Sequence, residues 1–194
     1  DYAAHPISEK RRKHYMRSIA SFFIIISSLL LSSCAATLPI AYTPSNLVSG
    51  TGSVSVERFY YTSARKGNIA PNQPEKNPAG MGDIYLSDDI ETLFTDAVRK
   101  ELRFSGYKLA ESVPISIAGT IDRFYYDWVG LLTVSVDIVV TFRVGQEGKV
   151  IFSQTYTSHK EAPKEPGYEI EAIKSAISEC IQYFLQEAVA KGIL

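Results

Sequence analysis

The chain has 194 residues, of which 45% are hydrophobic and 21% charged, with a formal net charge of −1. That balance excludes the strongly basic footprint of a nucleic-acid-binding domain. Two cysteines in the whole chain exclude a disulfide-built scaffold, so stability must come from an ordinary hydrophobic core.

Residues 1–15 contain no methionine, and Met16 is the expected natural start. Arg11, Arg12, Lys13 and Arg17 precede an apolar run over 19–31. The run has the length of a signal-peptide core and falls short of the roughly 20 apolar residues that span a bilayer. It is apolar on all faces, unlike an amphipathic core helix. Leu31-Ser32-Ser33-Cys34 closes it and resembles the lipobox of bacterial lipoproteins. That resemblance implies cleavage before Cys34, a diacylglycerol on its thiol and, with Ala35 next, an outer-membrane address facing the periplasm. Three parts are therefore expected: 1–33 upstream residues and signal, 34–52 a lipidated tether, and 53–194 a single domain. Past Cys34 the charge is about −4, from fifteen basic and nineteen acidic residues, which gives no reason to expect a nucleic-acid partner.

Residues 35–52 hold Pro39, Pro44, Gly50 and Gly52 without periodicity and read as a flexible tether. Residues 53–61 (SVSVERFYY) read as the first strand. The Pro- and Gly-rich stretch 62–83 is either a functional loop or disordered, and disorder is favoured because it has little to bury. Residues 84–86 are a short strand or docking segment. Ser87 is the expected N-cap of an amphipathic helix whose stripe is Ile90, Leu93, Phe94, Ala97, Val98 and Leu102, with Gly106 as its C′ stop.

Ile115, Ile117, Gly119 and Ile121 alternate, after which the apolar parity moves to Phe124, Tyr126 and Trp128. Such a change calls for a β-bulge near Asp122 and Arg123. From Leu132 to Val144 every second residue is apolar, the clearest strand in the chain. Residues 149–157 form the last strand, with Val150, Phe152 and Tyr156 inward. Residues 159–167 read as a loop, and 169–191 as a helix with Cys180 on its apolar stripe, ended by Gly192. The order β-α-β-β-β-α predicts an α+β domain, an antiparallel meander with two amphipathic helices on one face.

No motif carries chemistry. His159 is the single histidine after Cys34, and CxxC, HExxH, GxSxG and Walker-type patterns are missing. No catalytic residue, metal or cofactor is expected, and the chain reads as a non-enzyme. Two stretches nearly repeat, VERFYY (56–61) and IDRFYY (121–126). They are two similar strands, or they place aromatics on one exposed face suited to a partner. Tyr126, Trp128 and Leu131 are the candidate partner-binding residues, because 124–132 crowds large apolar groups at a hairpin end; the alternative is that a bulge turns them into the core.

From the lipobox through IYLSDDIETLFTDAVRKELRFSGYKL to the last helix, the chain resembles the YajG-like family of bacterial lipoproteins. The likeness rests on the helix ending in Leu102-x-x-x-Gly106-Tyr107, the alternating strand pair and the final amphipathic helix. It implies an envelope lipoprotein without assigned catalytic residues, an interaction or assembly module held to the membrane through Cys34, with an envelope protein as partner. A second likeness, to auxiliary lipoproteins of ABC-type transport systems, implies a lipid- or small-molecule-binding accessory instead.

Overall fold

The computed structural model describes residues 35–194 except 46–47, 78–81 and 166. Cys34, the apolar run before it and residues 1–15 lie outside the described residues. The elements are β1 (Ala36–Leu38), β2 (Ser53–Val56), β3 (Tyr60–Tyr61), α1 (Thr62–Arg65), β4 (Ile84–Leu86), α2 (Ile90–Phe104), β5 (Lys108–Leu109), β6 (Ile115–Val129), β7 (Thr133–Gln146), β8 (Lys149–Pro163) and α3 (Tyr168–Ala190).

The fold is α+β, with a mostly antiparallel sheet ordered β5-β2-β6-β7-β8. β6, β7 and β8 form the expected meander. β2 and β3 run parallel to β6, and β5 parallel to β2. Parallel neighbours need a crossover, and α2 supplies it between β3 and β6. β1 and β4 form a separate parallel pair.

Both long helices lie on one face of the sheet, α3 on β7 and β8 and α2 on β2, β3 and β5. The stripe residues Ile90, Phe94, Ala97, Val98 and Leu102 of α2 are fully buried, as are Ile173, Ile177, Cys180, Phe184 and Leu185 of α3. Val134, Val136, Ile138, Val140, Phe142 and Val144 rise from β7 to meet them. Each of the Val, Leu, Ile and Phe side chains among them contributes about 1.5–3 kcal/mol through burial. The layer between is filled by aromatic rings: Phe142 stacks on Phe184 at 4.3 Å, and Phe59 meets Phe142 at 5.2 Å and Phe94 at 5.3 Å. Gly119 makes room for the Phe59 ring, since a Cβ there would lie 2.2 Å from it. Both helices end in Schellman turns. Gly106, at φ 97°, donates to Arg103 O while Tyr107 donates to Leu102 O; Gly192 and Ile193 repeat this on Val189 and Ala188.

Several expectations need correction. The compact unit begins at Ala35, so 35–52 is not a free tether. Ile40 and Tyr42 are buried, and Gly50 N–H bonds Ser105 O at 2.8 Å. The stretch 62–77 is built in as well: Glu75 exchanges backbone bonds with Phe124 and Tyr126 at 2.7 and 2.8 Å, and Leu86 N–H bonds Asn72 O at 2.8 Å. Backbone pairing with distant strands, rather than apolar burial, orders it. Ser87 does not cap α2; Asp89 stands at the N-cap, and the Ser87 hydroxyl accepts the Ile40 N–H at 3.3 Å. β8 runs past Thr157 to Pro163, because β7 extends far enough to pair with it. His159 is thus a strand residue, not a loop residue. Val150 is exposed, since the β7–β8 register shifts beyond Val144 and Ile151 is the extra residue. Leu132 lies outside β7 and is exposed.

Candidate functional site

The near-repeat explains how the sheet presents its two faces. β3 lies beside β6 with Tyr60 opposite Thr120 and Tyr61 opposite Ile121. Phe59, Tyr61, Phe124 and Tyr126 all point into the core. The middle tyrosines point the other way, each under a guanidinium: Arg65 lies 4.8 Å over Tyr60, and Arg123 4.5 Å over Tyr125. The aromatic-surface reading is therefore corrected to one outward ring per strand. The expected bulge is present, between Ile121 and Arg123, and it is what brings Phe124 and Tyr126 inward.

The three candidate partner-binding residues do not share one surface. Tyr126 is 2% exposed. Its hydroxyl lies near Trp128 and Glu169 without a partner at hydrogen-bond geometry, and burial raises its pKa well above the usual tyrosine value. Trp128 is partly buried against the core, with Lys164 Nζ 2.9 Å above its ring. Leu131 is 90% exposed and Leu132 80%, at the β6–β7 tip. Tyr126 and Trp128 line a cleft of ≈ 20 Å³, about the space of one water, together with Lys76 and Ile84. Cys34, the expected lipidation site, lies outside the described residues.

The sheet face away from the helices carries a charged cluster that sequence reading missed by placing His159 in a loop. His159 Nδ1 lies 2.6 Å from Asp137 Oδ1, its cross-strand partner, and Nε2 lies 3.7 Å from Glu161. Arg123 reaches Asp137 at 3.9 Å, and Tyr125 donates to Asp127 at 2.9 Å. The hydrogen bond to Asp137 raises the His159 pKa above its usual value. Further along the same face, Thr141 bonds Asp122 and Thr155, and Arg143 bonds Thr120. The face is a solvated, hydrogen-bonded surface of alternating charged and hydroxyl side chains. Among the described residues, no three His, Cys, Asp or Glu side chains gather to hold a metal ion.

Two buried acids were also missed. Glu91 accepts the Tyr61 N–H at 3.0 Å and pairs with Arg65 at 2.7 Å and Arg58 at 3.0 Å. Burial alone would raise its pKa, but Arg65, the Tyr61 N–H and Arg58 outweigh that and hold it below the usual range. Glu101 accepts from the Tyr42 hydroxyl at 2.5 Å and the Ser45 N–H at 3.1 Å, tying 35–52 to α2. The signal was present: Glu91 and Thr95, four apart, flank the apolar stripe of α2. Beside α3 an open polar groove of ≈ 400 Å³ includes Lys160, Lys174, Ser178 and Glu179.

No family model and no curated protein matches the chain. Among solved structures it is similar to protein XCC0632 from Xanthomonas campestris, a DUF330 protein, at 14% identity and TM-score 0.63, over 81% of this chain and 96% of that one. It is similar to an uncharacterized protein at 11% identity and TM-score 0.51, over 78% and 98%. The rare lipoprotein B from Shewanella oneidensis aligns at 12% identity over 73% and 96%, with a TM-score of 0.41. The first two likenesses show a shared fold. Among the described residues no helix is long and apolar enough to cross a membrane.

Proposed function

We propose that the protein is a lipoprotein of the bacterial outer membrane, anchored through Cys34 and facing the periplasm, that works as a non-catalytic interaction or assembly module of the cell envelope. The signal pattern ending at Leu31-Ser32-Ser33-Cys34 and the resemblance to YajG-like lipoproteins support the address. The observation that carries the role is the contrast between the two sheet faces. One is covered by α2 and α3 and filled by Phe59, Phe94, Phe142 and Phe184. The other, with Thr120, Thr141, Arg143 and Thr155, is covered by neither α2 nor α3 among the described residues. A lipid-binding accessory of a transport system would need a closed apolar pocket between sheet and helices. Aromatic rings occupy that space, which favours the interaction module.

The test has two arms in intact cells. Cys34→Ser should leave the protein unprocessed or released from the outer-membrane fraction; full processing and outer-membrane fractionation of that variant would overturn the address. A photo-crosslinking residue at Arg143 or Thr155 should yield a discrete adduct with one envelope protein, and the same residue at Lys191 should not. Loss of selectivity between the positions, or no adduct at either sheet position, would overturn the role.

A further inference from the structure

The β6–β7 tip is unusual for a hairpin end, where polar turn residues are the rule. Gly130, at φ 68°, makes the turn, and Val129, Leu131 and Leu132 stand out from it at 50%, 90% and 80% exposure. Apolar groups of this size gathered at an exposed tip call for a partner that removes them from water.

What lies beside the tip identifies that partner. Ala36 pairs with Ile84 and donates its N–H to Asp83 O at 3.0 Å. Ile84 lines the same small cleft as Trp128, the residue just before Val129. Ala36, the first strand residue among those described, thus sits near the end of the sheet from which the tip projects. A single residue, Ala35, separates Ala36 from Cys34. At about 3.8 Å per Cα step, an anchor on Cys34 is held within about 8 Å of Ala36 along the chain. With Cys34 lipidated as proposed, so short a leash would hold the domain against its membrane by the end bearing Leu131 and Leu132.

We infer that Val129, Leu131 and Leu132 seat in the lipid surface next to the anchor, at the boundary between headgroups and acyl chains. The neighbours suit that depth. Lys164, held over the partly buried Trp128 ring beneath the tip, can keep its ammonium among headgroups while its stem stays apolar. Asp127, Glu161 and Glu165 near the tip stay in water and limit insertion to the loop itself. A second hydrophobic contact of this kind strengthens an acyl anchor and fixes the orientation of the domain, leaving the uncovered sheet face directed along or away from the membrane.

This inference rests on the anchor at Cys34, and its test separates the two. The full lipidated chain carrying Leu131→Cys is labelled with an environment-sensitive fluorophore and reconstituted into vesicles of phosphatidylethanolamine and phosphatidylglycerol. Cys180 is buried and does not compete for label. Lys149→Cys, roughly 45 Å away at the other end of β7 by the ~3.3 Å rise per strand residue, is the control. Acyl-brominated lipids should quench the label at 131 several-fold more than the label at 149, with the lipid mass present on Cys34. Equal quenching with that mass present overturns the tip contact and leaves the anchor standing. Protection of the 131 label from aqueous iodide without lipid quenching marks a protein contact and also overturns it. Absence of lipid mass on Cys34 overturns the anchor and the tip contact together.

Discussion

VERFYY (56–61) and IDRFYY (121–126) are nearly the same sequence with different fates. The second lies within one continuous strand of fifteen residues that pairs with β7 on both sides of the single bulge at Asp122. The first breaks into two short strands around Glu57–Phe59, and its outer edge pairs with a helix instead of a strand. Phe59 N–H donates to Thr95 Oγ1 at 3.0 Å, and Tyr61 N–H to Glu91 Oε1 at 3.0 Å. Two side chains one turn apart on α2 thereby stand in for a neighbouring strand. In both stretches the Phe and the last Tyr point inward and the middle Tyr outward. Alternation is a local property, whereas continuity of a strand depends on what lies beside it.

The largest expected effect tests the inward half of that equivalence. Phe59→Ala and Phe124→Ala should each lower the unfolding free energy in urea by about 3–5 kcal/mol, while the outward controls Tyr60→Ala and Tyr125→Ala should stay within about 1 kcal/mol of the parent. A small loss at Phe59 would show that the broken stretch is peripheral to the core, contrary to its contacts with Phe94 and Phe142.

The helix-for-strand substitution is tested next. Glu91→Ala leaves a buried Tyr61 N–H without its acceptor and should cost about 1–3 kcal/mol; the stand-in is unnecessary if urea midpoints do not move. The acid side gives a second handle. Glu91 has a folded-state pKa below its unfolded value of 4.5, so its stabilisation is fully present above that value and is lost as pH falls through the lower folded value. The parent should therefore lose more stability than the Ala variant on going below pH ~4.5.

The smallest effect lies on the uncovered face. His159 has a folded-state pKa raised by Asp137, so the pair's contribution is complete below about pH 6.5, the unfolded histidine value, and disappears as pH rises through the higher folded value. His159 is more than half exposed, so screening keeps the stability effect small. An NMR titration of the imidazole should read a midpoint above the usual histidine value, and Asp137→Asn should lower it. An unchanged midpoint in that variant would remove the cross-strand pair.

The sequence alone determined what short-range periodicity encodes. The stripes of α2 and α3, the alternation of β7, the glycine stops at Gly106 and Gly192 and the bulge at Asp122 each depend on residues a few positions apart, and each is present in the structure. The tertiary structure alone decided whether polar and proline-rich segments are part of the domain. Residues 62–77 bury few apolar groups, and their order comes from backbone bonds to partners far along the chain, such as Glu75 to Phe124 and Tyr126; residues 35–52 combine such a bond, Gly50 to Ser105, with the burial of two isolated side chains, Ile40 and Tyr42, that no periodicity announces. The candidate site divided in the same way. That 124–132 was rich in large apolar groups could be read directly, but which of them face water depended on the bulge, on Lys164 covering Trp128, and on β7 starting only at Thr133. Backbone hydrogen bonds carry no side-chain signature, so segments that fold by pairing with distant strands look disordered until the strands they join are in place.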